Sequence, residues 1–330
     1  MYQLSQSKMR SWRSCRRAYH YKYYLNIEPR RPRPVLVRGR MIHDMIEAQI
    51  NGLNPWKVLD AYRKEYNKLF LEQREMYGDL IGDVERIMKY YFIWWNSDPI
   101  EYLKHPKTKK RAEHEFEVVI DGEIKFTGKA DSLGRTKDKR TWLVEHKSMK
   151  TFPTDEFRYT DIQSALYVKH LERSWPGIKI DGVCWNYIRA KPPAIPELLK
   201  SGELSHRDID TVWPVYAEAI KEHKLDASDY DDMLHKLKDK WSSFYKRVYL
   251  PVNRTIIDNL NQEMIATAHE MAELHDESQM HVRNMTPMCS RQCEYYNLCQ
   301  AQLRGLDDEW LLKKEFKQRE NKNEVQVEEE

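Results

Sequence analysis

The 330 residues carry 55 Lys or Arg against 52 Asp or Glu, 41% hydrophobic residues and only 11 Gly and 14 Pro, which suits a folded chain with a sizeable core. Five Cys, with no basic-apolar-cleavage pattern at the start, exclude a secreted disulfide scaffold and fit a reducing intracellular compartment. A mean hydropathy of -0.83 and the lack of an apolar run of membrane length exclude a membrane role, so a soluble, cytoplasmic protein is expected.

The chain opens on a helical run through Tyr24. From Lys8 to Arg40 eleven Lys or Arg stand against one acid, Glu28, with Trp12, Tyr19, Tyr21, Tyr23 and Tyr24 interleaved. Cations among aromatics suit a phosphate backbone with bases stacking nearby, although a basic run is often only a solvated helix face. Arg10, Arg13, Arg16 and Arg17 are the candidate DNA contacts. A break at Pro29, Pro32 and Pro34 precedes helices near 39–50, 55–76 and 79–95, where Met41, Ile42, Met45 and Ile46 recur at helical spacing.

The period then changes. Phe116, Val118 and Ile120 alternate with Glu115, Glu117 and Val119, Gly122 turns the chain, and 124–133 completes a β-hairpin. A strand over 141–147, a helix over about 155–172 and a buried strand over 182–188 follow. Beyond Pro192 charged helices are expected over 205–223 and 228–240, then a short strand over 244–250 and a long helix near 254–275. Residues 320–330, ending in Glu328, Glu329 and Glu330, read as a disordered acidic tail. Trp94, Trp95, Trp185, Trp213 and Trp241 read as packing residues. The expected class is α/β, with helical ends wrapped around a central mixed sheet.

The central strands carry the candidate chemistry in Gly128-Lys129-Ala130-Asp131 and Val144-Glu145-His146-Lys147. Side chains two apart on a strand share a face, so Glu145 and Lys147 point one way and Val144 and His146 the other. The distance along the chain from Asp131 to Glu145 leaves room for a tight turn that brings the two carboxylates together. Two carboxylates and a Lys can bind Mg2+ or Mn2+, neutralise a phosphorane and activate water, but the same three residues also make an ordinary cross-strand salt bridge. His43, on a helix upstream, can reach a metal held by the strands. Gln163 and Tyr167 share a helix face downstream, four residues apart.

Cys15 stands near the start, and Cys289, Cys293 and Cys299 crowd a short segment near the end. Four soft thiolates can hold an iron-sulfur cluster or a tetrahedral zinc, and this set would close a very long loop. Cys184, between Val183 and Trp185, reads as a small buried apolar residue.

In this order, Gly39 with His43, Gly128 with Asp131, Glu145 with Lys147, and Gln163 with Tyr167 resemble the RecB-type branch of the PD-(D/E)XK nuclease superfamily. More narrowly, with Cys15 inside an aromatic, basic segment from Leu4 to Tyr23, the chain resembles the iron-sulfur exonucleases. That group includes the CRISPR adaptation nucleases, the AddB nuclease domain and related phage enzymes. The likeness runs from about Leu4 to Cys299.

The resemblance implies a restriction-endonuclease-like core, αβββαβ, over 39–192. Around it stand a basic segment over 1–38, a helical region over 193–280, a cluster-binding segment over 281–312 and a charged, disordered tail over 313–330. It implies that His43, Asp131, Glu145 and the backbone carbonyl of His146 bind Mg2+ or Mn2+, and that Lys147 positions the attacking water. Gln163 and Tyr167 would hold DNA or support the site. Cys15, Cys289, Cys293 and Cys299 would ligate a [4Fe-4S] cluster, with Zn2+ as the alternative. One departure concerns this set: three residues separate Cys289 from Cys293 where the family usually has two.

The implied activity is a metal-dependent DNA exonuclease of repair, recombination, phage DNA processing or CRISPR-type adaptation, in a bacterial, archaeal or phage-infected cell. Its partner would be DNA with ends or single-stranded regions, with a protein partner or a homo-oligomer also in view. The alternatives are a non-cleaving DNA-binding or assembly subunit on the same fold and an endonuclease of the same superfamily.

Overall fold

The computed structural model describes residues 2–96, 98–154, 158, 160–274 and 281–319. The acidic tail, part of the helix expected over 155–172, and His275 lie outside the described residues.

The chain begins with a strand that the residue pattern does not reveal, β1 (Tyr2–Ser5). Ser5 then caps helix α1 (Gln6–Ser14), its hydroxyl accepting the Lys8 backbone N–H at 3.3 Å. The helical run expected through Tyr24 is broken at Cys15, which is extended; α2 (Arg16–Tyr19) follows and passes into a π-helical turn over His20–Tyr24. After β2 (Ile27–Pro29), Pro34 opens α3 (Pro34–Ile50) in the first turn, where a missing N–H costs nothing. The single helix expected over 55–76 is two, α4 (Pro55–Asn67) and α5 (Leu71–Tyr77), parted by an extended Phe70. α6 (Leu80–Trp95) starts at Asp79, whose carboxylate accepts the Gly82 N–H.

The strands β3 (Glu101–Tyr102), β4 (Ala112–Asp121), β5 (Ile124–Arg135) and β6 (Thr141–Met149) come next, then α7 (Ile162–Ser174) and β7 (Gly182–Arg189). In β4 the alternation is realised: Phe116 and Val118 are buried, while Glu115 and Glu117 are exposed. β6 and β7 are buried along most of their length, as strands covered on both faces must be.

The helix expected over 205–223 exists only as α8 (Trp213–Glu222). Residues ahead of it stay out of the helix: Asp210 accepts from Arg189 at 2.6 Å and from Lys191 at 2.9 Å, and the Ala194 N–H bonds its carbonyl. Trp213, read as a packing residue, is 39% exposed at the helix start. The segment expected as one helix over 228–240 is α9 (Asp231–Leu237) between two 3₁₀ turns. Leu204, Tyr216, Ile220, Tyr230, Met233 and Leu237 give this lobe a small core of its own.

β8 (Tyr245–Pro251) and α10 (Arg254–Glu273) follow, then the short α11 (Cys289–Gln292), α12 (Tyr296–Leu303), α13 (Glu309–Glu315) and β9 (Phe316–Gln318). No helix among the described residues is long and apolar enough to cross a membrane.

The main sheet is mixed, in the order β1-β5-β6-β7-β8, with β3 and β4 also on β5. It therefore takes strands from outside the 39–192 core, β1 before it and β8 after it. One face packs on α1, α7 and α10 through Met9, Trp12, Leu143, Leu166, Trp185 and Met264. The other lies under α3 and α6, through Met45, Ile87, Tyr91 and Ile188.

Segments near the two ends of the described residues meet, and residues 313–318, expected within a disordered tail, are ordered in α13 and β9. β2 pairs antiparallel with β9, Tyr295 donates to the Ile27 carbonyl at 2.9 Å, and Tyr21 donates to Gln302 at 2.6 Å.

Candidate active site

The arrangement of β5 creates the site. Along one edge β5 pairs with β4 from Ile124 to Ser132. Along the other, β1 pairs in parallel with Ile124 to Thr127, and β6 pairs antiparallel only with Ser132 to Arg135. The four residues Gly128, Lys129, Ala130 and Asp131 fall between these two neighbours, so on this edge their backbone groups are open to side chains.

Two of those side chains are among the expected site residues. Tyr167, on α7, takes a hydrogen bond from the Lys129 backbone, and burial pushes its phenol up to about 12. Asp131 accepts the backbone N–H of His146 at 2.7 Å, one step past the last β5–β6 pair. Gly128 lets the helix come this close: a Cβ there would stand 2.3 Å from Cζ of Phe116 and 3.0 Å from a Tyr167 ring carbon.

Glu145 and Lys147 share the α7 face of β6, as the two-residue period requires. Lys147 donates to Glu145 at 2.9 Å and lies 5.8 Å from the centre of the Trp185 ring. Gln163, one turn before Tyr167, donates to the same Glu145 oxygen at 3.2 Å. Nδ1 of His43, on α3, lies 3.8 Å from the Asp131 carboxylate. His43, Asp131, Glu145, Lys147, Gln163 and Tyr167 thus meet around one point of the sheet.

The electrostatics follow from burial. Glu145 is fully buried, and desolvation pushes its carboxyl up to about 7 against the pull of Lys147. Its second oxygen, Oε1, has no hydrogen-bond partner among the described residues. Burial also works against the charge of Asp131, but His43 and Lys147 outweigh it and hold that carboxyl below its usual range. For Lys147, burial is outweighed by Glu145 and Asp131, so the ammonium is held above its usual range and stays charged.

Asn186, Arg247 and Asp98 go unnoticed in the sequence and lie behind this site. Arg247 forms a buried, two-pronged ion pair with Asp98, and Asn186 donates to the His146 ring at 2.8 Å.

The four cysteines line one cavity with Tyr21, Asn284 and Tyr296. The Asn284 N–H points at Cys15 Sγ at 3.5 Å and the Thr286 N–H at Cys289 Sγ at 3.4 Å. Burial pushes the Cys293 thiol up, and the other three sulfurs add to the effect. Cys184 is fully buried beside Trp142 and Val144, away from this cavity. Among the described residues no three His, Cys, Asp or Glu side chains converge closely enough to enclose a single metal ion, so neither set is a closed cage.

Of the basic residues, Arg13 donates to Thr267 and to the Glu263 carbonyl, and Arg16 pairs with Glu270 while its guanidinium lies 4.9 Å from the Trp12 ring centre. Arg17 donates to Tyr21 at 3.0 Å and to Gln302. These three bind the N-terminal helices to α10 and α12, whereas Arg10 is exposed.

The profile of the PD-(D/E)XK nuclease superfamily matches residues 3–300. The chain belongs to that superfamily. No curated protein matches it. A solved structure titled "Crystal structure of SSO0001" is similar at 10% identity, over 91% of this chain and 86% of that one, with a TM-score of 0.33. As a PD-(D/E)XK chain this is a nuclease of a superfamily that acts on DNA, typically with Mg2+ or Mn2+. Its mixed sheet and flanking helices accord with that fold.

Proposed function

We propose that this protein is a divalent-metal-dependent DNA exonuclease of the RecB/AddB-like iron-sulfur group. The observation that carries the reading is the meeting of Asp131, Glu145 and Lys147 where the β5 edge runs unpaired. His43, Asp131, Glu145 and the His146 carbonyl are the groups that would hold Mg2+ or Mn2+, a hard donor set with one imidazole. Glu145 Oε1 supports this fit, since a buried carboxylate oxygen without a partner calls for a cation. A bound ion would supply Lewis-acid polarisation of the phosphate and a more acidic water.

The protein's own residues do the rest. Lys147, kept cationic by the two carboxylates, orients the water and offsets the negative charge that builds on the scissile phosphate. Gln163 fixes the rotamer of Glu145, and Tyr167 fixes the backbone at Lys129.

The preference for DNA ends or single strands rests on the order of the motifs and on the basic, aromatic N-terminal segment. Cys15, Cys289, Cys293 and Cys299 would hold a [4Fe-4S] cluster, with zinc as the alternative. Supporting this are the single cavity they line and the backbone N–H groups aimed at two sulfurs, which favour thiolates.

Labelled linear and closed circular DNA, single- and double-stranded, with and without Mn2+, tests the proposal. Wild-type protein should degrade linear DNA only, and Asp131→Ala or Lys147→Ala should abolish this while remaining folded. Cleavage of closed circles would make the protein an endonuclease. DNA binding without any cleavage would make it a non-cleaving subunit.

A further inference from the structure

The face of the sheet turned away from Glu145 and Lys147 carries an unbroken polar row. His146, Asn186 and Arg247 are direct cross-strand neighbours on β6, β7 and β8. His146 and Asn186 are buried, and the Arg247 and Asp98 side chains are only 7% and 8% exposed. Trp95 lies against the Arg247 guanidinium at 4.9 Å, and Tyr102 donates to Asp98 at 3.0 Å. So much buried polarity would be costly if its only role were packing.

The chemistry of the row fixes its direction. A guanidinium can only donate, so the Arg247 Nε, 3.5 Å away, requires the oxygen of the Asn186 amide to face it. The amide nitrogen must then face the other way, where it meets Tyr91 Oη at 2.7 Å and His146 Nδ1 at 2.8 Å. His146 Nδ1 is therefore an acceptor, and the imidazole is held in one orientation and one tautomer. The backbone N–H of the same residue is the one that Asp131 accepts.

We infer that Asn186 is a positioning residue for the metal site, acting through His146. Anchored by the Arg247–Asp98 pair, it fixes the His146 ring from behind. That holds the backbone of 145–147 where Asp131 can take its N–H and where Glu145 and Lys147 face the gap in β5. Pairing with β7 holds one edge of this segment, and the ring contact adds to it because on the other edge β5 and β6 have already parted at Asp131. The inference rests on the metal-dependent nuclease reading above.

The test is Mn2+ binding by calorimetry alongside the Mn2+ concentration that half-saturates DNA cleavage. Asn186→Leu should weaken Mn2+ binding by about tenfold or more, the usual scale for partners of ligand-bearing segments, while the rate at saturating Mn2+ changes much less. His146→Leu, which removes the acceptor and leaves Asn186 in place, should do the same and serves if Asn186→Leu does not fold. His146→Gln, which offers Asn186 an amide oxygen, should restore most of the affinity. Cys184→Ala, two residues from Asn186 on the same face, should lower Tm without moving the metal dependence. Wild-type Mn2+ affinity in folded Asn186→Leu or His146→Leu would overturn the inference and leave the nuclease reading standing. So would a shift in Cys184→Ala equal to theirs. Wild-type protein that neither binds Mn2+ nor cleaves DNA would overturn both.

Discussion

Asp131 accepts the backbone N–H of His146 at 2.7 Å, so a carboxylate completes the bonding between β5 and β6 at the point where the strands separate. A residue expected to bind metal is thus also part of the sheet. Replacing it by Ala should remove Mn2+-dependent cleavage and also leave a buried N–H unmet, costing about 1–3 kcal/mol of stability. Asp131→Asn keeps an acceptor, so it should lose cleavage with a much smaller drop in Tm. Equal destabilisation by the two variants would show that the bond to His146 contributes nothing.

The elevated carboxyl of Glu145 makes a prediction about pH. A group raised to about 7 in the folded protein binds its proton more tightly than in the unfolded chain. The stability this gives is complete below the unfolded value and is lost as pH rises through about 7. Glu145→Gln cannot titrate, so in metal-free buffer with chelator its Tm relative to wild type should climb between pH 5 and pH 8. The upper bound on that gain is about 3 kcal/mol, since Lys147 loses a partner in the variant. A pH-independent difference in Tm would contradict the elevated carboxyl. Cleavage should vanish in the variant at every pH.

Gly128→Ala should force the Phe116 ring and Tyr167 apart, because the new methyl would meet Phe116 at 2.3 Å. Overpacking of this kind costs about 1–3 kcal/mol. Phe116→Leu in the same protein should recover part of the loss, and thermal melts of the single and double variants would read the coupling.

Arg10 and Arg16 separate two uses of positive charge. Arg16 pairs with Glu270 on α10, so Arg16→Ala should lower stability by up to about 1 kcal/mol. Arg10 is exposed, and Arg10→Ala should leave Tm unchanged while reducing the salt slope of DNA binding by about 1. Melting curves and binding titrations over a salt series check both expectations, and an unchanged slope would remove Arg10 from the DNA surface.

Protein purified without oxygen should carry broad visible absorbance that Cys15→Ser removes and Cys184→Ser keeps, because Cys15 lines the four-thiol cavity and Cys184 does not. Cys15→Ser should also lower Tm. A colourless protein with one zinc per chain would replace the iron-sulfur reading with the zinc alternative.

The site was legible where local rules govern it. The alternation of Phe116 and Val118 with glutamates marked β4 because one face is buried and the other is wet. The two-residue period put Glu145 beside Lys147, and the helical period put Gln163 above Tyr167. What the residues concealed depends on distant partners. β1 is four residues long and becomes a strand only by lying along β5. Asp98 and Arg247 look like ordinary surface charges until β8 and the end of α6 bring them together under Trp95. The irregular stretch before α8 has polar, helix-tolerant residues, but Arg189 and Lys191 hold Asp210 and keep it from coiling.

The pairing of Ile27–Pro29 with Phe316–Gln318 sets an order on biosynthesis. A chain emerging from the ribosome can form the β4–β5 hairpin as soon as both strands are out, and β1 can join once residues 124–127 exist. Ile27, Tyr21 and the first thiol must wait for nearly everything else, holding apolar and nucleophilic groups open to chaperones and oxidants meanwhile. Expression yield should therefore respond to the redox state of the cell and to the speed of translation.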